Sequence, residues 1–154
     1  MTMTPKTLQD ILDETRAFHQ RLISHLSLCK LYCPTEREKM LLNFIVEQSN
    51  LLSSSLTGLE NIQDKESFRT WLYEYSDGYT ILQTQPENIA FNTMEYGEIC
   101  ETIRQINNQI IELYEQINQR SQSPKPELAT AVLLEYMHAN TRQMAEQTAN
   151  VEGL

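Results

Sequence analysis

The sequence predicts a single all-α domain of four long helices and one short one. Three observations carry that reading. Four glycines and five prolines in 154 residues are too few turn formers for an all-β domain. Apolar residues recur at i, i+3, i+4 and i+7 through four long stretches. All five prolines stand at the ends of those stretches, beside residues that can cap a helix. A chain of 154 residues has the length of one domain, and 40% hydrophobic with 21% charged residues is the composition of a folded one.

The elements follow in order. Thr4-Pro5 offers an N-cap with proline at the first helical position and opens a helix over about 5–32. Cys33-Pro34 ends it, because a residue before proline is pushed out of the α region. Thr35 and Glu38 have the spacing of a capping box and open a second helix over about 35–60. Pro86-Glu87 opens a third over about 86–121, in which Gly97 is expected to loosen or kink the chain. Ser123-Pro124-Lys125-Pro126 separates it from a fourth over about 125–150. In the long connection between the second and third helices, Phe68, Trp71, Leu72 and Tyr75 have helical spacing and predict a short helix over about 65–76.

Short loops make antiparallel neighbours, so helices one and two form one hairpin and helices three and four another. The helical wheel turns Leu8, Ile11, Leu12, Thr15, Phe18, His19, Leu22, Ile23, Leu26 and Cys29 inward on the first helix. On the second it turns Leu41, Phe44, Ile45, Gln48, Leu51, Leu52, Ser55, Leu56 and Leu59 inward. Folding the chain back at Cys33-Pro34 pairs Leu26 with Leu41, Leu22 with Ile45, His19 with Gln48, Thr15 with Leu52, Leu12 with Ser55 and Leu8 with Leu59. Inner residues then meet inner residues throughout. The third helix carries the stripe Tyr96, Ile99, Ile103, Ile106, Ile110, Leu113 and Ile117. Across the second turn it should meet Ala129, Leu133, Tyr136, Asn140, Gln143 or Met144, Gln147 and Val151.

Composition excludes some functions. Twelve basic against 21 acidic residues give a net charge of −9, which leaves no basic footprint for a nucleic-acid backbone. The first residues show neither the basic nor the apolar region of a signal peptide, and no apolar run is long enough to span a bilayer. With Cys29, Cys33 and Cys100 an odd set lacking CxxC spacing, reduced thiols in the cytoplasm are expected, with no membrane partner. Nucleophile motifs, glycine-rich phosphate loops and nucleotide fingerprints are absent.

The segments FHQRLISHL, EREKMLLNFIVEQSN and LLEYMHANTRQMAE, with a long connection holding a tryptophan, resemble the ferritin-like superfamily. More narrowly they are similar to small bacterial ferritin-like proteins of unassigned role. The resemblance implies a ferritin-like four-helix bundle and, in members that act as oxidases or iron stores, a di-iron centre. Such a centre takes one inward Glu from each of two helices and Glu-x-x-His from each of the others. This chain has one Glu-x-x-His, Glu135 with His138, and an imperfect counterpart, Glu47 with Asn50.

The helical phase opposes that use. Glu135 shares a stripe with Leu128, Val132, Ala139, Arg142 and Glu146, nearly opposite the arc meant for the third helix; Glu112 also points away from its own apolar stripe. Inside, at the level of a metal, the wheel places His19, Gln48, Leu51, Ile110, Tyr136 and Ala139, a set that cannot hold iron or manganese. No cofactor and no metal site are therefore expected, with iron or manganese at Glu135 and His138 as the alternative.

His19, Gln48 and Asn140 are read as a polar core layer, the imidazole bonded to the Gln48 amide and fixing helix register. His25, Cys29 and Cys33 fall on one face, either as small residues beside a turn or as thiolate and imidazole ligands short of the fourth that zinc needs. Leu42 and Val46 form a second apolar strip on helix two. With the aromatic run Phe68, Trp71, Leu72, Tyr73, Tyr75 and Tyr79, it suggests cover by the crossover helix, a second subunit, or both. The expectation is a non-enzymatic binding or assembly module, a homodimer with a possible unidentified protein partner. The competing readings are a metal-dependent oxidoreductase or iron-handling protein and, less favoured, a small-ligand pocket around His19 between the hairpins.

Overall fold

Thr7 starts the first helix. Its hydroxyl accepts from the Asp10 amide at 3.1 Å while its own amide donates to the Asp10 carboxylate at 2.9 Å, a reciprocal capping box. This is a computed structural model, and it describes residues 6–62, 71–72, 81–120 and 124–152. Within them the regular structure is helical apart from one short antiparallel pair, β1 (Lys6–Thr7) and β2 (Trp71–Leu72). The long helices are α1 (Leu8–Lys30), α2 (Glu36–Ile62), α3 (Tyr96–Arg120) and α4 (Pro124–Glu152). None is long and apolar enough to cross a membrane.

Three boundaries differ from the sequence reading. α1 begins at Leu8, because Thr7 is extended and pairs with Trp71; Thr4 and Pro5 lie outside the described residues. The helix expected over 65–76 is replaced at its centre by β2, where Leu72 faces Lys6 across the ladder. The remainder of that stretch, with Phe68 and Tyr75, lies outside the described residues, as do Tyr73 and Tyr79. α3 begins at Tyr96, ten residues after the position that Pro86 suggested. Two 3₁₀ turns, Pro86–Asn88 and Phe91–Thr93, take that space. The Thr93 hydroxyl donates to the Ala90 carbonyl at 2.9 Å, the kind of local bond that competes with a helix. The Glu98 carboxylate accepts the Glu95 amide at 3.2 Å and opens α3 instead. Gly97 thus sits in the first turn of α3 and not in its interior.

α2 keeps half of its expected capping box: the Thr35 hydroxyl accepts the Glu38 amide at 3.5 Å, while Glu38 Oε2 is buried without a partner among the described residues. α1 packs along α2. Lys30 donates to Asn43 at 3.3 Å near the turn, and Gln20 to Ser53 at 3.5 Å farther from it, so the two helices run in opposite directions. α3 packs along α4, and α4 along α2.

The core gathers Phe18, Leu22 and Leu26 of α1, Leu42, Ile45 and Leu56 of α2, Ile99, Ile110 and Tyr114 of α3, and Leu133 and Met137 of α4. The inward arc of α1 is buried as the wheel places it, except for half-buried Ile23. On α2 the buried face is rotated. Leu42 is fully buried, Ser49 and Ser53 join it, and Leu51 is 56% exposed. The strip of Leu42 and Val46 is therefore covered within the chain, because α2 has neighbours on two sides and not one. The free flank of α1 is covered by the segment before α3, through Ile81, Leu82, Pro86 and Phe91. Arg21 donates to the carbonyls of Leu82 at 3.4 Å and Thr84 at 3.3 Å, and His25 Nε2 donates to that of Ile89 at 2.6 Å.

Candidate functional site

The middle of α1 places Thr15, Phe18 and His19 on the inward face, and His19 is buried. Neither ring nitrogen of His19 has a hydrogen-bond partner among the described residues, and neither does the Oε1 of buried Gln48. Asn140 does reach this level, but its amide donates to the backbone carbonyl of Gln48 at 3.3 Å. The expected bond from imidazole to the Gln48 amide is thus not made. The His19 ring instead meets Phe18 edge to face, with centroids 5.7 Å apart. Burial lowers its pKa from 6.5 to about 4, so the imidazole is neutral at pH 7.

The rest of the expected interior set divides. Ile110 is buried, whereas Leu51, Tyr136 and Ala139 are exposed. On α4 the buried arc is narrower than the wheel gave: Leu133 and Met137 face the core, while Tyr136 and Gln143 do not. The side chains of Ala129, Met144, Gln147 and Val151 lie outside the described residues.

Glu135 and His138 are both exposed. His138 Nε2 lies 3.3 Å from the Glu115 carboxylate, a surface contact between α4 and α3. Glu47 and Asn50 are exposed on α2, and Glu112 on α3. Among the described residues, no three His, Cys, Asp or Glu side chains are grouped so as to hold a metal ion.

His25, Cys29 and Cys33 do gather at the end of α1. The Cys29 sulfur is 3.4 Å from His25 Nε2, and both thiols are buried. Burial, and then the neighbouring Cys29, push the Cys33 thiol above its ordinary value, which disfavours the nucleophilic thiolate. The imidazole uses its Nε2 hydrogen on the Ile89 carbonyl. Its ring also lies 6.0 Å from that of Phe91. This histidine therefore fastens the segment before α3 onto α1, a task that helical spacing within α1 does not reveal.

Three further features were not apparent in the sequence. Thr15 and Tyr114 share a buried hydrogen bond of 2.7 Å between α1 and α3. An open groove of about 570 Å³ runs beside the α1–α2 turn, lined by Lys30, Leu31, Glu36, Lys39, Met40 and Phe44 among others. A second cavity, of about 20 Å³, lies among Ile45, Cys100, Ile103 and Thr141 and has room for about one water. Neither touches His19.

Compared with models of protein families, with curated proteins and with solved structures, the chain has no match.

Proposed function

We propose that this chain is a ferritin-like four-helix bundle, two antiparallel hairpins joined by a long crossover, that works through its surface as a non-enzymatic binding or assembly module in the cytoplasm. The topology is supported by Arg37, whose guanidinium lies 4.4 Å over the Tyr96 ring. Arg37 belongs to the first turn of α2 and Tyr96 opens α3, so both helices start at one end and run the same way. The connection between them must then travel back along the bundle, as one-crossover bundles require. Three free, buried cysteines agree with a reducing compartment.

The observation that carries the non-enzymatic reading is the position of the acids. Glu47, Glu112, Glu135 and His138 are exposed to water, while the buried polar side chains among the described residues are the neutral imidazole of His19, the amide of Gln48, hydroxyls and three thiols, with no buried acid among them. A hard or borderline cation needs several anionic oxygens or imidazoles converging on one point. The competing reading, an iron-handling or metal-dependent oxidoreductase, requires that set to form around Glu135, His138 and Glu115. Metal analysis of protein purified without chelator separates the two. Substoichiometric iron and manganese, unchanged in Glu135→Gln and His138→Ala, is the expected result. Stoichiometric metal that is lost in those variants refutes the proposal.

A further inference from the structure

The described surface carries six large exposed hydrophobic side chains, and four of them, Leu28, Leu31, Tyr32 and Met40, stand at the end formed by the α1–α2 turn. They are 53%, 69%, 68% and 70% exposed. Scattered single apolar residues are ordinary on a protein surface, but a cluster at one place marks an interaction site. Leu31 and Tyr32 sit in the turn itself, which needs no apolar side chain for its own geometry, and Leu28 lies in the last turn of α1 just before it. Beside them runs the open groove, floored by half-buried Phe44 and walled by Lys30, Lys39, Glu36 and Glu47.

Charge identifies the occupant. The chain as a whole is at −9, so most approaches of one copy to another are repulsive. Residues 28–47 are different: Lys30, Arg37 and Lys39 balance Glu36, Glu38 and Glu47, leaving this stretch neutral. Both signs also line the groove itself, so a two-fold axis can set each lysine against a carboxylate of the other copy. A nucleic acid or an anionic membrane needs a basic surface, and a strongly basic protein an acidic one; this surface is neither.

We propose that two copies of this chain associate through the α1–α2 end, with Leu31 and Met40 at the centre and the groove lysines paired to the partner copy's carboxylates. This rests on the assembly reading above and names its surface, which differs from the strip of Leu42 and Val46. The present partners of the charged groups do not oppose it. Lys39 with Glu36 at 3.5 Å and Lys30 with Asn43 at 3.3 Å are exposed contacts, which contribute about 0–1 kcal/mol and exchange readily.

Sedimentation velocity on the full chain, from about 1 to 200 μM, reads the association, with circular dichroism to confirm helix content. The parent is expected to form a dimer. Leu31→Glu with Met40→Glu should raise the dissociation constant by about 100-fold or more. Should that variant lose helix, the charge variants decide. Lys30→Glu/Lys39→Glu and Glu36→Lys/Glu47→Lys should each be monomeric alone and form a one-to-one heterodimer when mixed. A parent that stays monomeric throughout, or folded Leu31→Glu/Met40→Glu protein that dimerises like the parent, overturns the interface. So does a charge pair that fails to recover association on mixing while the parent dimerises. None of these outcomes bears on the metal analysis, which tests the non-enzymatic reading separately.

Discussion

Thr15 and Tyr114 meet across the core through a hydrogen bond of 2.7 Å, and the same Thr15 hydroxyl lies 2.7 Å from the Ile11 carbonyl one turn back in α1. A hydroxyl has one proton and a carbonyl can only accept. Thr15 therefore donates to Ile11, and the phenol of Tyr114 donates to Thr15. The chain of donors ties α3 to the backbone of α1 in a site where both side chains are fully buried. Tyr114→Phe, which keeps the ring and deletes the donor, should destabilise the fold by about 1 kcal/mol in urea denaturation. A double-mutant cycle with Thr15→Val should give a coupling of at least about 0.5 kcal/mol. Strict additivity of the two changes would mean that the bond contributes nothing.

His19 makes stability depend on pH. Its folded pKa is about 4 against 6.5 for the free side chain, because burial disfavours the charged ring. The folded-state value is depressed for a base, so the unfolded chain takes up the proton first. The contribution is fully present above pH 6.5 and is lost as pH falls toward 4, where the folded ring also protonates. A shift of this size corresponds to about 3 kcal/mol. Urea midpoints measured at pH 7.5, 6, 5 and 4 should fall over that window, and His19→Leu should remove most of the slope. If the leucine variant shows the parent's slope, the imidazole is not the group that titrates.

Gln48 sharpens the same point. Its Oε1 is buried without a partner among the described residues and does not serve His19, so Gln48→Leu strands no imidazole bond. The change removes an unpaired buried oxygen, a group whose desolvation costs about 1–3 kcal/mol. Neutral or raised stability at pH 7.5 is therefore expected. A loss of more than about 1 kcal/mol would show that the amide has a partner in solution, such as a buried water.

The inward faces of α1 and α3 were legible because each has a continuous apolar stripe and a single burial direction. Leu22, Leu26, Ile103 and Ile110 could be placed by periodicity alone. α2 was less so, since it packs against both α1 and α4, and its own sequence does not show that Leu42 is buried beside Leu41 while Leu51 is exposed. The late start of α3 was hidden by Pro86, which suits the first turn of an α-helix and of a 3₁₀ turn equally. The signals that decide it are Asn88 and Thr93, whose side chains bond locally, followed by Glu95 and Glu98 at capping distance. At the candidate site, exposure of Glu135 and His138 is a matter of helical phase and could be read. The failure of His19 and Gln48 to bond is a matter of side-chain rotation, which spacing does not carry.

The contact between His25 and Ile89 is one of those that hold the segment before α3 on α1. That segment makes few regular backbone bonds of its own, beyond its short 3₁₀ turns. It is held on α1 by burial of Pro86 and Phe91, by Arg21, and by the 2.6 Å bond from His25 Nε2 to the Ile89 carbonyl. His25→Leu keeps most of the apolar contact with Phe91 but leaves that carbonyl without its donor, at a cost of about 1–3 kcal/mol. Because the four long helices do not depend on this bond, the cost should appear as local opening and not as global loss of helix. Limited proteolysis should then cut the variant within 81–95 several times faster than the parent, with circular dichroism unchanged. Equal cleavage rates would assign the docking of this segment to its buried rings alone.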